Sequence, residues 1–215
     1  MFDTIDIYTV FDMFLLLLIG MGPKIALVPF LELTQGMEAD AQRKIADRMV
    51  RTGVGTALLL VVFGWFLMRL LHFTPGAANV AGGIVLLLLA LHMLVSPGKK
   101  QDHHEKAENR DPMKMAIYPL AVPYLLNPAG IATLVIASDD IDSILFAVVL
   151  IGLVLLVGLI DFAVFRNMDK LAKHLDPSRL AVTEVVFGVL LAALAVQLMA
   201  DGLIELGFVA GSVEH

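Results

Sequence analysis

The sequence predicts an all-α membrane protein of six transmembrane helices in an inverted three-plus-three repeat, with helices 1 and 4 broken. Three observations lead to this fold class: the apolar composition, the spacing of the apolar stretches and the alternation of basic loops. Hydrophobic residues make up 59% of the 215 residues and charged residues 17%, and the mean hydropathy is +0.85. A soluble domain of this length could not bury so much apolar surface.

The same composition excludes several classes of protein. A net charge of −6 argues against nucleic acid as a partner, and the scarcity of charged residues argues against disorder. Without cysteine the chain cannot be a disulfide-stabilised secreted scaffold. The sequence carries no cofactor motif, and it has no signature of an oligomeric state. The lipid bilayer is therefore the first partner that the sequence implies.

Six apolar stretches are long enough to cross a bilayer core, which needs roughly 20 mostly apolar residues per helix. They are Ile7–Leu33, Gly53–Leu71, Asn79–Ser96, Met115–Ser138, Ser143–Phe165 and Ala181–Leu206. Acidic residues, Asp3 and Asp6, precede the first stretch where a cleaved signal peptide has a basic segment. We therefore expect the first stretch to remain in the membrane.

The basic residues predict the orientation of the helices. Thirteen of the 15 Lys and Arg lie in the first, third and fifth loops between the predicted spans. They are Arg43, Lys44, Arg48, Arg51, Lys99, Lys100, Lys106, Arg110, Lys114, Arg166, Lys170, Lys173 and Arg179. By the positive-inside rule these loops face the cytoplasm. We expect a multi-pass protein of the inner (plasma) membrane with both termini outside the cytoplasm.

The two halves of the chain resemble each other at an offset of 105 residues. This offset places Gly83 of the third span on Gly188 of the sixth, and Pro23 of the first on Pro128 of the fourth. Each half has three spans, so the second half must enter the membrane from the opposite side, as in many secondary transporters. The single domain 1–215 thus divides into a first repeat of about 7–96, a cytoplasmic loop 97–114 and a second repeat of about 115–206.

The repeated prolines predict broken helices. Pro23 follows Gly20 and Gly22, and Pro128 is followed by Gly130. Proline removes a backbone donor and clashes with the carbonyl four residues earlier, while glycine tolerates non-helical angles. The freed carbonyls are tolerated only against protein or a watery cavity. Proline kinks without a ligand are the alternative, but the paired positions favour two broken helices that meet near the midplane.

Several motifs resemble the MarC family of integral membrane proteins. The markers, in order, are Phe30-Leu-Glu-Leu-Thr34-Gln-Gly36, Ala81-Gly82-Gly83-Ile84, Pro119-Leu-Ala-Val-Pro123 with Pro128, and Leu190-Leu-Ala-Ala-Leu-Ala-Val-Gln197 with Asp201-Gly202. The resemblance implies six helices, an inverted repeat akin to that of the lysine-exporter superfamily, and transport of small neutral amino acids. It also implies a substrate site at the breaks in the first and fourth helices.

The predicted substrate-binding residues lie at and just after the two breaks. They are Gly22, Pro23, Lys24, Asn127, Pro128, Gly130 and Thr133. The chain departs from the family pattern in the first span, where Lys24 follows the proline and Ile25 and Ala26 stand in place of Gly and Asn. In the fourth span, Asn127 precedes Pro128.

Two charged residues inside the spans have open alternatives. Lys24 lies within the first span, where an ammonium costs roughly 2.5–3.5 kcal/mol. It either extends to the interface, forms a structural ion pair with Asp161, or faces the cavity and binds a carboxylate. Asp161, the one carboxylate in the fifth span, is the ion-coupling candidate, or it pairs with Arg166.

The predicted function is secondary transport of a small-molecule solute, a neutral amino acid or related metabolite, with a proton gradient as a candidate driving force. The chain lacks a Gly-x-x-x-x-Gly-Lys-Ser/Thr motif for nucleotide binding, and no nucleophile–base pair within the spans indicates an enzyme. The alternative is a divalent-metal ion exporter. Its support is the loop Gln101-Asp102-His103-His104-Glu105, whose side chains are of metal-ligating types.

Overall fold

A computed structural model describes residues 6–95, 111–139, 141, 143–168 and 177–209. All regular secondary structure in these ranges is helical. The helices are α1 (Ile7–Met21), α2 (Pro23–Thr34), α3 (Ala39–Leu71), α4 (Pro75–Val95), α5 (Pro112–Met115), α6 (Pro128–Asp139), α7 (Ile144–Arg166) and α8 (Pro177–Glu205), with an irregular segment (Ala116–Leu125) between α5 and α6.

The first predicted span is divided into α1 and α2. The Asp6 carboxylate caps the start of α1 by accepting from the Tyr8 main-chain N–H. Gly22 has an extended conformation, with φ −86° and ψ 171°, and Pro23 opens α2 at its first position, where α2 itself needs no N–H from that residue. The two helices together cover Ile7–Thr34, a span of 28 residues. The predicted break at Pro23 is confirmed, and it is confined to one residue.

The second span belongs to a helix longer than the bilayer core. α3 has 33 residues, or about 50 Å at 1.5 Å per residue, against about 30 Å of hydrocarbon. The basic residues expected in the first loop, from Arg43 to Arg51, are therefore on the helix, and the loop itself is only the short connection after Thr34. At the other end of α3 the Arg69 guanidinium lies 4.5 Å from the Trp65 ring centroid, a favourable cation–π contact.

The fourth span is broken more extensively than expected. We predicted a helix over Met115–Ser138 with a break at Pro128, but its first half is irregular. Tyr118 and Val122 have extended angles, and each is joined by a cis peptide bond to the proline that follows. A residue before proline is biased away from helical angles, so two closely spaced prolines prevent a regular helix here. The two halves of the span are bent by 71°.

The helices α4 and α8 pack against each other along much of their length, and they run antiparallel. Gly76 near the start of α4 lies against Gly202 near the end of α8, and Gly83 lies against Ala195. Residue numbers thus rise along one helix as they fall along the other. The absence of a side chain on these glycines lets the two backbones approach closely, as is common between membrane helices.

The contact between α4 and α8 is reciprocal with respect to the 105-residue offset. A Cβ atom added to Gly83 would lie 2.7 Å from the carbonyl oxygen of Ala195. One added to Gly188, the counterpart of Gly83, would lie 3.4 Å from the carbonyl oxygen of Ala90, the counterpart of Ala195. Equivalent residues of the two halves therefore make equivalent contacts across this helix pair.

The described residues contain five helices that are long and apolar enough to span a membrane, or six if the bent pair counts as one span. Large apolar side chains cover much of their outer surface. Examples that are about half exposed or more are Leu59, Val62, Phe63, Leu88, Ile144, Val148 and Leu159. Such an extensive apolar surface is typical of helices that face lipid. The protein is an integral membrane protein with an all-helical fold.

Candidate functional site at the two helix breaks

The first break leaves two carbonyl groups without helical partners. In a continuous helix the N–H of residue 23 would bond to the Ile19 carbonyl, but proline has no N–H. The extended angles of Gly22 also separate the carbonyl of Gly20 from the start of α2. Both carbonyl groups lie in the protein interior, where an unsatisfied acceptor is costly.

Asn127, at the second break, satisfies both of these carbonyl groups. Its side-chain Nδ2 donates to the Ile19 carbonyl oxygen at 2.8 Å, and its main-chain N–H donates to the Gly20 carbonyl oxygen at 2.9 Å. Its Oδ1 accepts from the Gly130 N–H at 3.0 Å and so caps the start of α6. Asn127 is fully buried. In this conformation its side chain and its main-chain N–H together link the two breaks.

The two broken spans touch at a pair of glycines. A Cβ atom on either Gly20 or Gly130 would collide with the backbone of the other. No side chain larger than hydrogen fits at this contact, so the breaks are closed on one another. In this conformation Gly20 therefore covers Gly130, which is a predicted substrate-binding residue. A solute could reach Gly130 only after the two spans move apart.

Asp161 is buried on α7 at the level of the first break. One helical turn before it, Val157 belongs to the apolar cluster that contains Met21. One turn after it, Phe165 lies with its ring centroid 5.2 Å from that of Phe30. Asp161 thus lies between the depths of the end of α1 and the middle of α2. Its side chain is 0% exposed, and neither carboxylate oxygen has a hydrogen-bond partner among the described residues.

The proposed partners of Asp161 are elsewhere, so two structural alternatives from the sequence are wrong for this conformation. Lys24 is exposed in the first turn of α2, and Asp161 is completely buried. The Arg166 guanidinium lies 5.2 Å from the Phe162 ring centroid and is itself exposed. The reason is the rotation of the helices, because α2 and α7 turn the two cations to the exposed side of the bundle and α7 turns Asp161 to the interior.

An apolar groove runs beside the second break, between α4 and α6. Its lining residues are Phe73, Ala77, Ala78, Ala81, Gly82, Val85, Pro123, Pro128, Ile131, Ala132 and Val135. Pro128 is the predicted site residue that lines it. Thr133 is half-buried on α6 and is not among the lining residues. The predicted residues therefore lie at different places: Gly130 in the glycine contact, Lys24 at the surface and Pro128 in the groove.

The predicted metal-ligating loop with His103 and His104 lies outside the described residues. Within the described ranges no group of three or more His, Cys, Asp or Glu side chains could hold a metal ion. Gln197 of α8 donates to the Asp201 carboxylate at 2.8 Å, so its side chain is satisfied within its own helix.

Sequence reasoning missed Gly20 as the partner of Gly130. Its signal was present in Ile19-Gly20-Met21-Gly22-Pro23, where two glycines precede the proline but only Gly22 lies at the break. A second glycine within a helix often marks close backbone approach. Which element approaches it depends on the packing of the fourth span, more than 100 residues away.

The chain is similar to several known membrane proteins. The sequence profile described as "MarC family integral membrane protein" matches residues 7–206. Similar proteins include the UPF0056 membrane protein YvbG of Bacillus subtilis, 28% identical over 81% of this chain and 84% of its own length. A UPF0056 membrane protein of Aquifex aeolicus is 30% identical over 66% of this chain and 68% of its own length.

The UPF0056 membrane protein YhcE of Escherichia coli is 24% identical over 94% of this chain and 96% of its own length. No solved structure matches the chain significantly. The profile match covers nearly the whole chain, from the first helix to the end of the last. This protein belongs to the MarC family of integral membrane proteins.

Proposed function

We propose that this protein is a secondary transporter of a small solute, a neutral amino acid or related metabolite, driven by a proton gradient. The observation that carries the proposal is the meeting of two broken spans inside the bundle, at Gly20 and Gly130. Broken helices at repeat-equivalent positions are where many secondary transporters bind their substrates. The resemblance of the motifs to a family with amino acid transporters supports the same solute class.

The two breaks differ in what they can offer a solute. At the second break, the Asn127 side chain already caps α6. At the first break, Gly22 has no side chain with which to cap α2. The first N–H groups of a helix carry partial positive charge and attract carboxylates. We therefore assign the solute carboxylate to the start of α2, at Gly22, Pro23 and Lys24, and expect the breaks to separate when it binds.

Asp161 is the coupling residue in this proposal. A carboxylate without a partner in an apolar interior is expensive, and a bound proton removes that cost. Its position at the depth of the first break brings a proton-carrying group to the level of the proposed carboxylate site. Protonation and solute binding would then act on the same pair of moving spans.

The reciprocal packing of α4 and α8 supports an inverted arrangement of the halves. In such an arrangement the third and sixth spans run antiparallel and equivalent residues exchange contacts, as Gly83 with Ala195 and Ala90 with Gly188 do. Cysteines at Thr74 and Ser143 are expected to react with an impermeant reagent from outside, and one at Asn109, beyond the described ranges, is not. Labelling of Asn109 in intact cells would contradict the proposed orientation.

The transport proposal is tested with purified protein in liposomes. Uptake of individual neutral amino acids is measured with and without an imposed pH gradient, and solute–solute exchange is measured in parallel without one. We expect at least one amino acid to accumulate only when the gradient is present. A folded protein that moves none of these solutes under either condition would contradict the proposal.

Asp161→Asn separates coupling from binding. We expect this variant to lose gradient-driven accumulation and to keep solute–solute exchange, because the amide cannot release a proton. Asp12→Asn is the matched control, since Asp12 is an exposed carboxylate on α1 and should leave both activities unchanged. Full gradient-driven accumulation by Asp161→Asn would exclude Asp161 as the coupling residue.

A further inference from the structure

A polar pocket lies at the start of α3, away from the breaks and the apolar groove. Its lining residues are Lys44, Asp47, Arg48, Arg51, Thr52 and Met113. All of them except Met113 belong to one helix, and Met113 comes from α5. The pocket is therefore formed where the long α3 meets the chain that leads into the fourth span.

The lining of this pocket is positively charged. Lys44, Arg48 and Arg51 are spaced four and three residues apart, so they share one face of α3. All three are exposed, and none forms an ion pair within the part of the chain that the structure describes. Asp47 offsets one of the three positive charges, which leaves a net positive lining. Three cations around one cavity, none of them paired with a described residue, are suited to an anion with several oxygen acceptors.

The depth of the pocket indicates where that anion lies. The apolar stretch of α3 begins at Gly53, two residues after Arg51. Arg51 is thus at the edge of the hydrocarbon, and Lys44 lies about 10 Å further out along the helix axis. This interval coincides with the layer of lipid headgroups. The predicted orientation places it on the cytoplasmic side, where anionic lipids attract basic residues.

We propose that this pocket binds the phosphate of an anionic phospholipid headgroup. The planar guanidinium groups of Arg48 and Arg51 can each donate two parallel hydrogen bonds to phosphate oxygens. Lys44 adds a third positive charge at the outer edge, and Thr52 adds a hydroxyl donor beside Arg51. The acyl chains would lie along the exposed apolar surface of α3 below Gly53, which includes Leu59 and Val62. A bound lipid would hold α3 against the segment that enters the fourth span.

Binding is measured with the full-length protein in a neutral detergent. Thermal unfolding is followed while short-chain phosphatidylglycerol is added, and the same titrations are made with phosphatidylcholine of identical chains and with inorganic phosphate. We expect phosphatidylglycerol to raise the unfolding temperature, and the other two to leave it nearly unchanged. If inorganic phosphate raises the unfolding temperature equally, the ligand of the pocket is a soluble anion and not a lipid, and the proposal is overturned. An equal effect of phosphatidylcholine would show that the headgroup charge is not recognised.

Three variants test the assignment to these residues. Each cation near a membrane surface contributes about fivefold to binding of anionic lipid, so Arg48→Gln/Arg51→Gln should weaken phosphatidylglycerol binding on the order of twentyfold. The matched control Arg69→Gln/Arg166→Gln removes two exposed arginines outside the pocket and should bind as the wild type does. Asp47→Asn removes the opposing charge and should bind several-fold more tightly.

The gain expected for Asp47→Asn protects the test from misfolding, because damage to the fold weakens binding and does not strengthen it. Unchanged binding in both the double variant and Asp47→Asn would overturn the proposal. Equal weakening in the control pair would also overturn it, since it would show a general charge effect.

Discussion

The two helix breaks occupy positions 105 residues apart in the two halves of the chain, yet their free backbone groups find hydrogen-bond partners in different ways. The first break consists of Gly22 and Pro23, and neither has a side chain that can hydrogen-bond to the free backbone groups of the break. The second places Asn127 at the position equivalent to Gly22, and this single side chain caps its own helix and reaches across to the first break. One broken span is thus stabilised by the other.

This difference shows how the protein itself can satisfy the backbone groups that an interrupted membrane helix leaves without helical partners. Each proline removes a donor, and the freed acceptor must find a partner within the protein. One asparagine has enough donors and acceptors to serve two main-chain groups at once. The arrangement also leaves the start of α2 without a side-chain cap from Gly22, so the two breaks differ in structure.

The largest expected effect comes from removing the Asn127 side chain. Asn127→Leu is close in size but would leave the Ile19 carbonyl and the Gly130 N–H unpaired in the interior. We expect a loss of about 2–4 kcal/mol in unfolding free energy, measured by thermal unfolding in detergent. Asn79→Leu is the control, because its side chain makes a single long contact of 3.5 Å with Glu205. Equal stability of the two variants would show that Asn127 does not join the breaks.

A smaller loss of unfolding free energy is expected when a side chain larger than hydrogen is introduced at the contact between Gly20 and Gly130. Gly20→Ala places a methyl group against the backbone of Gly130, and overpacking of this kind costs about 1–3 kcal/mol. Gly152→Ala on α7 is the control, because a Cβ there meets nothing within 4 Å and alanine favours the helix. If Gly20→Ala is as stable as Gly152→Ala, the spans do not touch at this point.

Restoring the backbone N–H that Pro23 lacks should recover part of the stability that is lost in Asn127→Leu. Pro23→Ala returns an N–H four residues after Ile19 and lets Gly22 take up helical angles, so in the Asn127→Leu background the Ile19 carbonyl can accept a helical hydrogen bond. We expect about 1 kcal/mol of stability to be recovered in that background. Pro128→Ala in the same background does not supply this donor and should recover less. Thermal unfolding of Asn127→Leu and of the two double variants measures the difference.

The smallest expected effect concerns Lys24 and Asp161. Because one is exposed and the other buried, their substitutions should be independent, and the stability changes of Lys24→Met and Asp161→Asn should add within about 0.5 kcal/mol. Marked non-additivity would mean that the two charges do meet. Uptake by Lys24→Met is measured alongside, since loss of uptake in this stable variant would support its assignment to the solute carboxylate.

Much of the fold could be predicted because its signals are local. The ends of the first and fifth spans were predicted to within a residue, since long apolar runs bounded by polar residues determine them. The start of α3 was placed 14 residues too late, at Gly53 instead of Ala39. Polar helix turns beyond the hydrocarbon carry no apolar signal, so hydropathy alone could not reveal them.

The candidate site was less predictable than the spans. Pro23 and Pro128 identified the breaks, because a missing N–H disrupts a helix wherever it occurs. The irregular segment before Pro128 was not expected, although Pro119 and Pro123 were visible in the sequence. The proposed pairing of Asp161 with Lys24 or Arg166 failed, because opposite charges in neighbouring segments meet only when the helices turn them toward each other.

The amino-acid sequence was enough to predict that the chain is a membrane protein, where its apolar spans lie and where two of them break. These properties depend on composition and on the covalent structure of proline, which act within a few residues. The packing of the helices had to be known before three features could be seen: Asn127 bonds to the Ile19 and Gly20 carbonyls, Gly130 lies against Gly20, and Asp161 has no hydrogen-bond partner among the described residues. Those contacts depend on the rotation and depth at which helices more than 100 residues apart pack together.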